Sequence, residues 1–187
     1  NKVYSADNNG DTVSVIDGVG DSIIASIPVG DRPVALAYNP TTNWVYCAGE
    51  GSGTVTVIDG SSNSVVATVR VGRHPYALIV NAAANRVFCA NQWSDSVTVI
   101  DGATNTVVAD AGVATEPWAL CFNPTDNKVY CASRIGNTLT VMHGTTGGVL
   151  AALGSWETPY ALCYNPTRNR VYSANRSTGY LTVLDGA

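Results

Sequence analysis

Charge is what this sequence has least of. Only 13% of its 187 residues are charged, about half the usual quarter for a globular chain. Ten Lys and Arg face fourteen Asp and Glu, for a formal net charge of −4, and no basic residues cluster. No nucleic-acid partner held by phosphate neutralisation is expected. Long apolar runs are missing too, so no membrane span is expected. Methionine occurs once, at Met142, so the chain starts without an initiator and reads as a processed product or an excerpt. Asn1-Lys2-Val3-Tyr4-Ser5 does not resemble a signal segment, which says nothing about export. Histidine is limited to His74 and His143, and none of the five cysteines stands in a CxxC pair. The simplest zinc, thioredoxin-like and haem-attachment readings fall away.

What is present is a repeat. Aligned on Asn1, Asn43, Asn85, Asn127 and Asn169, the chain divides without insertion or deletion into repeats 1–42, 43–84, 85–126, 127–168 and the partial 169–187. Their opening segments are NKVYSADNNGDTVSVIDG, NWVYCAGEGSGTVTVIDG, NRVFCANQWSDSVTVIDG, NKVYCASRIGNTLTVMHG and NRVYSANRSTGYLTVLDG. Within a unit the apolar residues alternate or form short β-branched runs, with no helical period. The second unit predicts strands at 33–38, 44–48, 54–59 and 64–71, with turns at Asn39-Pro40-Thr41-Thr42 and Asp59-Gly60-Ser61-Ser62-Asn63. Four antiparallel strands in about 42 residues match one propeller blade. The chain is expected to be all-β: a single, partial β-propeller with three complete blades and a partial blade at each end.

The VYCA or VYSA segment, the TVTVIDG segment, the VVAT segment with a following Val-Gly, and the P-x-A-L-x-Y-N-P-T segment resemble the YVTN-type β-propeller repeat. That resemblance spans the whole chain. It implies a propeller of surface-layer and secreted bacterial or archaeal proteins, hence an extracellular or cell-surface location, and it implies no single reaction.

The units also serve as an internal comparison. Pro33, Pro75, Pro117 and Pro159 open the first strand, where a missing N–H is tolerated. Asn-Pro and Asp-Gly turns recur at one end. Tyr4, Tyr46, Phe88, Tyr130 and Tyr172 form an aromatic column suited to packing between blades. Ser5, Cys47, Cys89, Cys131 and Ser173 form one cysteine column, and Ala37, Ile79, Cys121 and Cys163 the other. Both read as packed sites, cysteine serving as a small hydrophobe. Cys121 and Cys131 lie on adjacent strands, so a disulfide forms only if the hairpin register pairs them.

Variation concentrates in the connection between the second and third strands and in the one entering each new blade. Both fall at one end of an up-and-down sheet, where function is expected. After the prolines come Val34, Tyr76, Trp118 and Tyr160. With Trp93, Trp156, Arg73 and His74, the aromatics among these are the candidate ligand-binding residues, suited to a protein or glycan ligand. A competing reading has the rings simply line and plug the channel.

No catalytic constellation of nucleophile, base and orienting group is legible, and neither a cofactor nor a metal is expected. The expected role is therefore a non-catalytic binding or scaffold module. Alternatives are a lactonase- or lyase-type enzyme with a metal at the channel mouth, gathered by Asp31, Glu116, Glu157 and His74, or an architectural spacer. His143 occupies a column otherwise filled by Asp17, Asp59, Asp101 and Asp185, and reads as a replaced turn residue. Asn175-Arg176-Ser177 is the only N-x-S sequon, in an expected loop. Because the first unit opens at a second strand and the last stops after a third, a larger ring of six to eight blades, or association of copies, is expected.

Overall fold

The computed structural model describes residues 1–154 and 157–187, and these form eighteen strands in five antiparallel sheets. The first sheet has three strands: β1 Lys2–Asp7, β2 Thr12–Asp17 and β3 Ile23–Pro28. Three four-stranded sheets follow. The second comprises β4 Pro33–Asn39, β5 Trp44–Gly49, β6 Thr54–Asp59 and β7 Val65–Arg70. The third holds β8 Pro75–Asn81, β9 Arg86–Asn91, β10 Ser96–Asp101 and β11 Val107–Gly112. The fourth holds β12 Pro117–Asn123, β13 Lys128–Ser133, β14 Thr138–His143 and β15 Val149–Gly154. A last three-stranded sheet contains β16 Pro159–Asn165, β17 Arg170–Asn175 and β18 Leu181–Asp185. Each sheet is a meander. Among the described residues no strand of the first sheet pairs with the last, so no sheet closes.

β4, β8, β12 and β16 neighbour one another in succession, which makes the first strand of each blade the innermost. The middle strands are buried on both faces. In β5, Val45, Tyr46, Cys47 and Ala48 are buried one after another, and in β6 so are Val55, Thr56, Val57 and Ile58. A sheet sandwiched between two others needs this continuous apolar run rather than strict alternation. Tyr46, Val55 and Val57 of the second sheet, for example, pack against Val87, Cys89 and Ile100 of the third. The fourth strands differ, because their apolar doublets, such as Val65-Val66 and Val107-Val108, lie exposed on the rim.

The outer faces of the first and last sheets lack such a neighbour. Val3 is 54% exposed, whereas its equivalents Val45, Val87, Val129 and Val171 are at most 2% exposed. Leu181 is 68% exposed, against 0% for its equivalent Leu139.

At the end carrying the Asn-Pro turns, asparagines staple blade to blade. Asn39 Nδ2 donates to Asn85 Oδ1 (2.7 Å), Asn81 Nδ2 to Asn127 Oδ1 (2.8 Å) and Asn123 Nδ2 to Asn169 Oδ1 (2.9 Å). The acceptors sit in the left-handed region, φ 50°, 52° and 48°, which asparagine tolerates better than most residues. The donors Asn39, Asn81 and Asn123 are buried.

Two sequence expectations resolve here. Cys121 lies opposite Tyr130 while Cys131 lies opposite Leu120, so the two thiols project from opposite faces of the sheet. No disulfide forms, and all five cysteines are free. The sequon asparagine Asn175 is not in a loop; it ends β17, is buried, and donates to Thr182 Oγ1 at 2.6 Å. Its amide is committed to the fold.

His143 does take the place of the turn aspartate. Asp59 Oδ1 accepts the N–H groups of Ser61 and Ser62, and Asp101 Oδ1 those of Ala103 and Thr104. His143 Nδ1 accepts from Thr145 (3.1 Å) and Thr146 (3.3 Å) in the same way.

Candidate functional site

The aromatic residues after the prolines owe their direction to a bulge. Pro75 pairs with Asn91 and Ala77 with Ala90, which leaves Tyr76 as an extra residue opposite nothing. Trp118 and Tyr160 are the extra residues of identical irregularities in β12 and β16, and Val34 is that of β4. A bulge turns one side chain out of the pleat and bends its strand. Here it brings three rings into one row at the mouth of the inner strands. Tyr76 and Trp118 have ring centroids 4.3 Å apart, and Trp118 and Tyr160 5.0 Å apart. These are contact distances for offset aromatic packing. The row is a wall in which neighbouring rings cover one another, and Tyr160 at its end is exposed.

The residue before each proline is also unusual. Arg32, His74, Glu116 and Thr158 all have positive φ, between 51° and 59°. Such conformations persist where surroundings hold them. The backbone N–H of Arg32 donates to Asp11 Oδ1, that of Glu116 to Asp95 Oδ1 and that of Thr158 to Asn137 Oδ1, each at 2.8 to 3.0 Å. Their carbonyls, with that of His74, accept from the backbone of Glu50, Arg134, Arg176 and Gln92. The two variable connections are thus tied together in each of the second to fifth sheets.

Two clefts at this end lie between neighbouring sheets. The first, between the second and third sheets, has a volume of about 300 Å³ and is lined by Glu50, Ser52, Arg70, Arg73, His74 and Trp93, among others. His74 stacks on Trp93 with centroids 3.3 Å apart, and its Nδ1 lies 3.0 Å from Glu50 Oε1. Arg73 donates to the Trp93 carbonyl at 3.0 Å. Trp93 remains 57% exposed, so one indole face is open to a ligand.

The second cleft lies between the fourth and fifth sheets. It measures about 450 Å³ and is lined by Arg134, Ile135, Asn137, Thr158, Arg176 and Ser177. Arg134 donates from Nε to Glu116 Oε2 at 2.6 Å, and its guanidinium carbon sits 4.4 Å over the Trp118 ring. Arg176 lies 5.5 Å over Tyr160. The hydrogen bond to Glu116 raises the Arg134 pKa above its already high ordinary value, so it is a permanent cation. Burial, aided by Tyr160 and Glu50, raises the Tyr76 phenol, which stays a neutral donor.

A larger cavity of about 720 Å³ lies at the opposite end, lined by Lys2, Tyr4, Leu36, Tyr38, Asn43 and Ser61, among others. It runs beside β1, where the four-stranded sheets carry a first strand.

The sequence candidates therefore divide. Tyr76, Trp118 and Tyr160 come together in the row, Arg73, His74 and Trp93 come together in the first cleft, and Trp156 lies outside the described residues. Sequence reasoning passed over Glu50, Arg134 and Arg176, and read Glu116 only as a possible metal ligand. Glu50, Gln92, Arg134 and Arg176 recur at one repeat position, and the change from acidic to basic along it was the signal available. The metal-binding alternative needed Asp31, Glu116, Glu157 and His74 to converge. Glu116 instead holds Arg134, His74 faces Glu50, and the described residues contain no group of three or more potential ligands.

Meandering four-stranded sheets with their first strands innermost define a β-propeller. Among solved structures, the chain is similar to the hydrazine synthase of Kuenenia stuttgartiensis, with a TM-score of 0.81 and 17% identity over 92% of this chain and 51% of that one. It is similar also to the dihydro-heme d1 dehydrogenase NirN in complex with DHE, with a TM-score of 0.85 and 20% identity over 100% of this chain and 42% of that one. The chain thus spans about half or less of these proteins, and at such identity the likeness carries the fold alone. No protein-family model and no curated protein matches the sequence.

Proposed function

We propose that this propeller is a non-catalytic binding module of the YVTN type, outside the cell or on its surface, that holds a protein or glycan at its variable end. The observation that carries this reading is the convergence there of an exposed Trp93 face with the two polar clefts. Aromatic faces and arginines are the groups that most often dominate binding surfaces, and clefts of about 300 Å³ and larger are ordinary ligand sites. The module contributes no reaction of its own. Its bare outer sheets, with Val3 and Leu181 exposed, are covered by further blades of the same repeat, in a ring of six to eight, or by a second copy.

A glycan and protein binding screen tests the reading, comparing the unmodified chain with Trp93→Ala, Trp118→Ala and Tyr76→Ala. Ligands that weaken with Trp93→Ala or Trp118→Ala are expected. No ligand at all, or ligands indifferent to all three changes, would overturn it.

A further inference from the structure

Both clefts carry arginine charge, and the second surrounds it with neutral polar groups. In the first cleft, Glu50 lies within 4 Å of both His74 and Arg32, while Arg70 and Arg73 have no carboxylate within 4 Å among the described residues. In the second, Arg134 is matched by Glu116, whereas Arg176 has no carboxylate within 4 Å among the described residues. The cleft therefore carries one uncompensated positive charge, set on a chain whose net charge is −4. A guanidinium presents several donors in a planar fork suited to carboxylate. With Arg134 engaged through Nε only, both of its terminal nitrogens remain for a ligand.

The rest of the lining is made of short neutral polar groups. Thr158 Oγ1 and Ser177 Oγ share a hydrogen bond, and Asn137 uses its Oδ1 on the Thr158 N–H, leaving its Nδ2 to donate. Trp118 and Tyr160 lie beneath the two arginines, and Ile135 is the one apolar side chain of the lining. A peptide needs apolar pockets for its side chains or a free strand edge for its backbone. This cleft instead offers guanidinium, amide and hydroxyl groups around an open space of about 450 Å³, with the two rings beneath the arginines.

We infer that the cleft between the fourth and fifth sheets is a subsite for a carboxylated sugar, with Arg176 and Arg134 holding the carboxylate and Asn137, Thr158 and Ser177 the hydroxyls. This rests on the binding role proposed above and names the ligand chemistry of one part of that face. Arg176 and Ser177 are exposed, so their replacement leaves the fold intact, whereas Asn137, at φ 48°, also holds the Thr158 N–H.

Calorimetric titration tests the assignment with an oligosaccharide ending in glucuronic acid, the same oligosaccharide with its carboxyl reduced to the alcohol, and a glutamate oligopeptide. Saturable binding of the acid is expected, at least tenfold tighter than the alcohol. Arg176→Ala should weaken the acid at least tenfold and leave the alcohol unchanged, while Ser177→Ala should weaken both sugars about threefold. Trp93→Ala, in the other cleft, should change neither. Equal affinity for acid and alcohol would overturn the subsite while leaving the general binding role standing. Equal affinity for the glutamate peptide, with no effect of Ser177→Ala, would overturn its assignment to sugar. Loss of all binding in the titrations together with an empty binding screen would remove both readings.

Discussion

Replacing Asn81 by Ala removes one staple between the third and fourth blades. Asn81 is 1% exposed. Its Nδ2 donates to Asn127 Oδ1 at 2.8 Å and to the Gly144 carbonyl at 2.7 Å, and its Oδ1 accepts from the Ala84 N–H at 3.2 Å. Leaving a buried polar group without its partner costs about 1 to 3 kcal/mol. Taking the lower figure for each of three groups gives a loss of roughly 3 kcal/mol, large against total stabilities of about 5–15 kcal/mol. The repeat supplies its own control. Asn165 occupies the same position in the last sheet, but its side chain only accepts from the Thr167 and Arg168 N–H groups, at exposed contacts of 3.0 and 3.3 Å. Water replaces those, so Asn165→Ala should cost about 0.5–1 kcal/mol. With a urea dependence of about 2 kcal/mol per molar, the Asn81 midpoint should fall by about 1.5 M and the Asn165 midpoint by no more than about 0.5 M. Amide exchange should lose protection along β8 and β13, on either side of the staple, before elsewhere. Equal midpoint shifts for the two variants would refute the claim that asparagine clamps the blades.

Other consequences follow from the same geometry. Burial pushes the thiols of Cys47 and Cys131 up to about 12 and that of Cys121 to about 11, and Cys89 is driven higher. A thiol reagent at pH 8 should therefore label the exposed Cys163 alone in the native protein and all five cysteines after unfolding, and rapid labelling of a second native thiol would contradict the packing. His143→Ala should destabilise the chain by about 1 kcal/mol by removing the acceptor of two turn N–H groups, while His143→Asp should not, as thermal unfolding will report. The Asp101 carboxyl is held below its ordinary value, first by the Ala103 N–H and then by that of Thr104 and by Arg86. Its stabilisation is complete above the unfolded value near pH 4 and is lost as pH falls through the lowered folded value. Asp101→Asn should flatten the acid limb of a stability profile, and an unchanged slope would refute the linkage. Light scattering should find association that grows with concentration and is reduced by Leu181→Asp, whereas a stable monomer indifferent to that change would show that the bare face recruits nothing.

The strands were legible because a β-sheet buried on both faces leaves a plain trace: short β-branched runs bounded by Asn-Pro and Asp-Gly. The prediction for the second blade, 44–48 and 54–59, lands within one residue of Trp44–Gly49 and Thr54–Asp59. Apolar content misled only about depth, since Val65 and Val66 look like core and lie on the rim. The column logic also carried over to chemistry where one residue does one local job, as at His143. It left open what depends on register, because a shift of one residue reverses a side chain's face. Cys121 and Cys131 sit on adjacent strands, and nothing in their spacing says that they face opposite sides.

The same limitation hid the character of the site. Tyr76, Trp118 and Tyr160 were visible as aromatics, but the bulge that turns them into a row is one unpaired residue that leaves no mark in hydropathy. Once the row exists, it divides labour with the side chains around it. The rings of Tyr76, Trp118 and Tyr160 spend much of their faces on one another and beneath the arginines, so they serve as a rigid floor. In the binding role proposed above, selectivity passes to the repeat position that reads Glu50, Gln92, Arg134 and Arg176, where charge changes sign from blade to blade over an unchanging backbone. A ligand at this end meets the same ties and the same bulges in each blade, and different charges. On that reading, one substitution at that position should alter what is bound while the scaffold that presents it stays as it was.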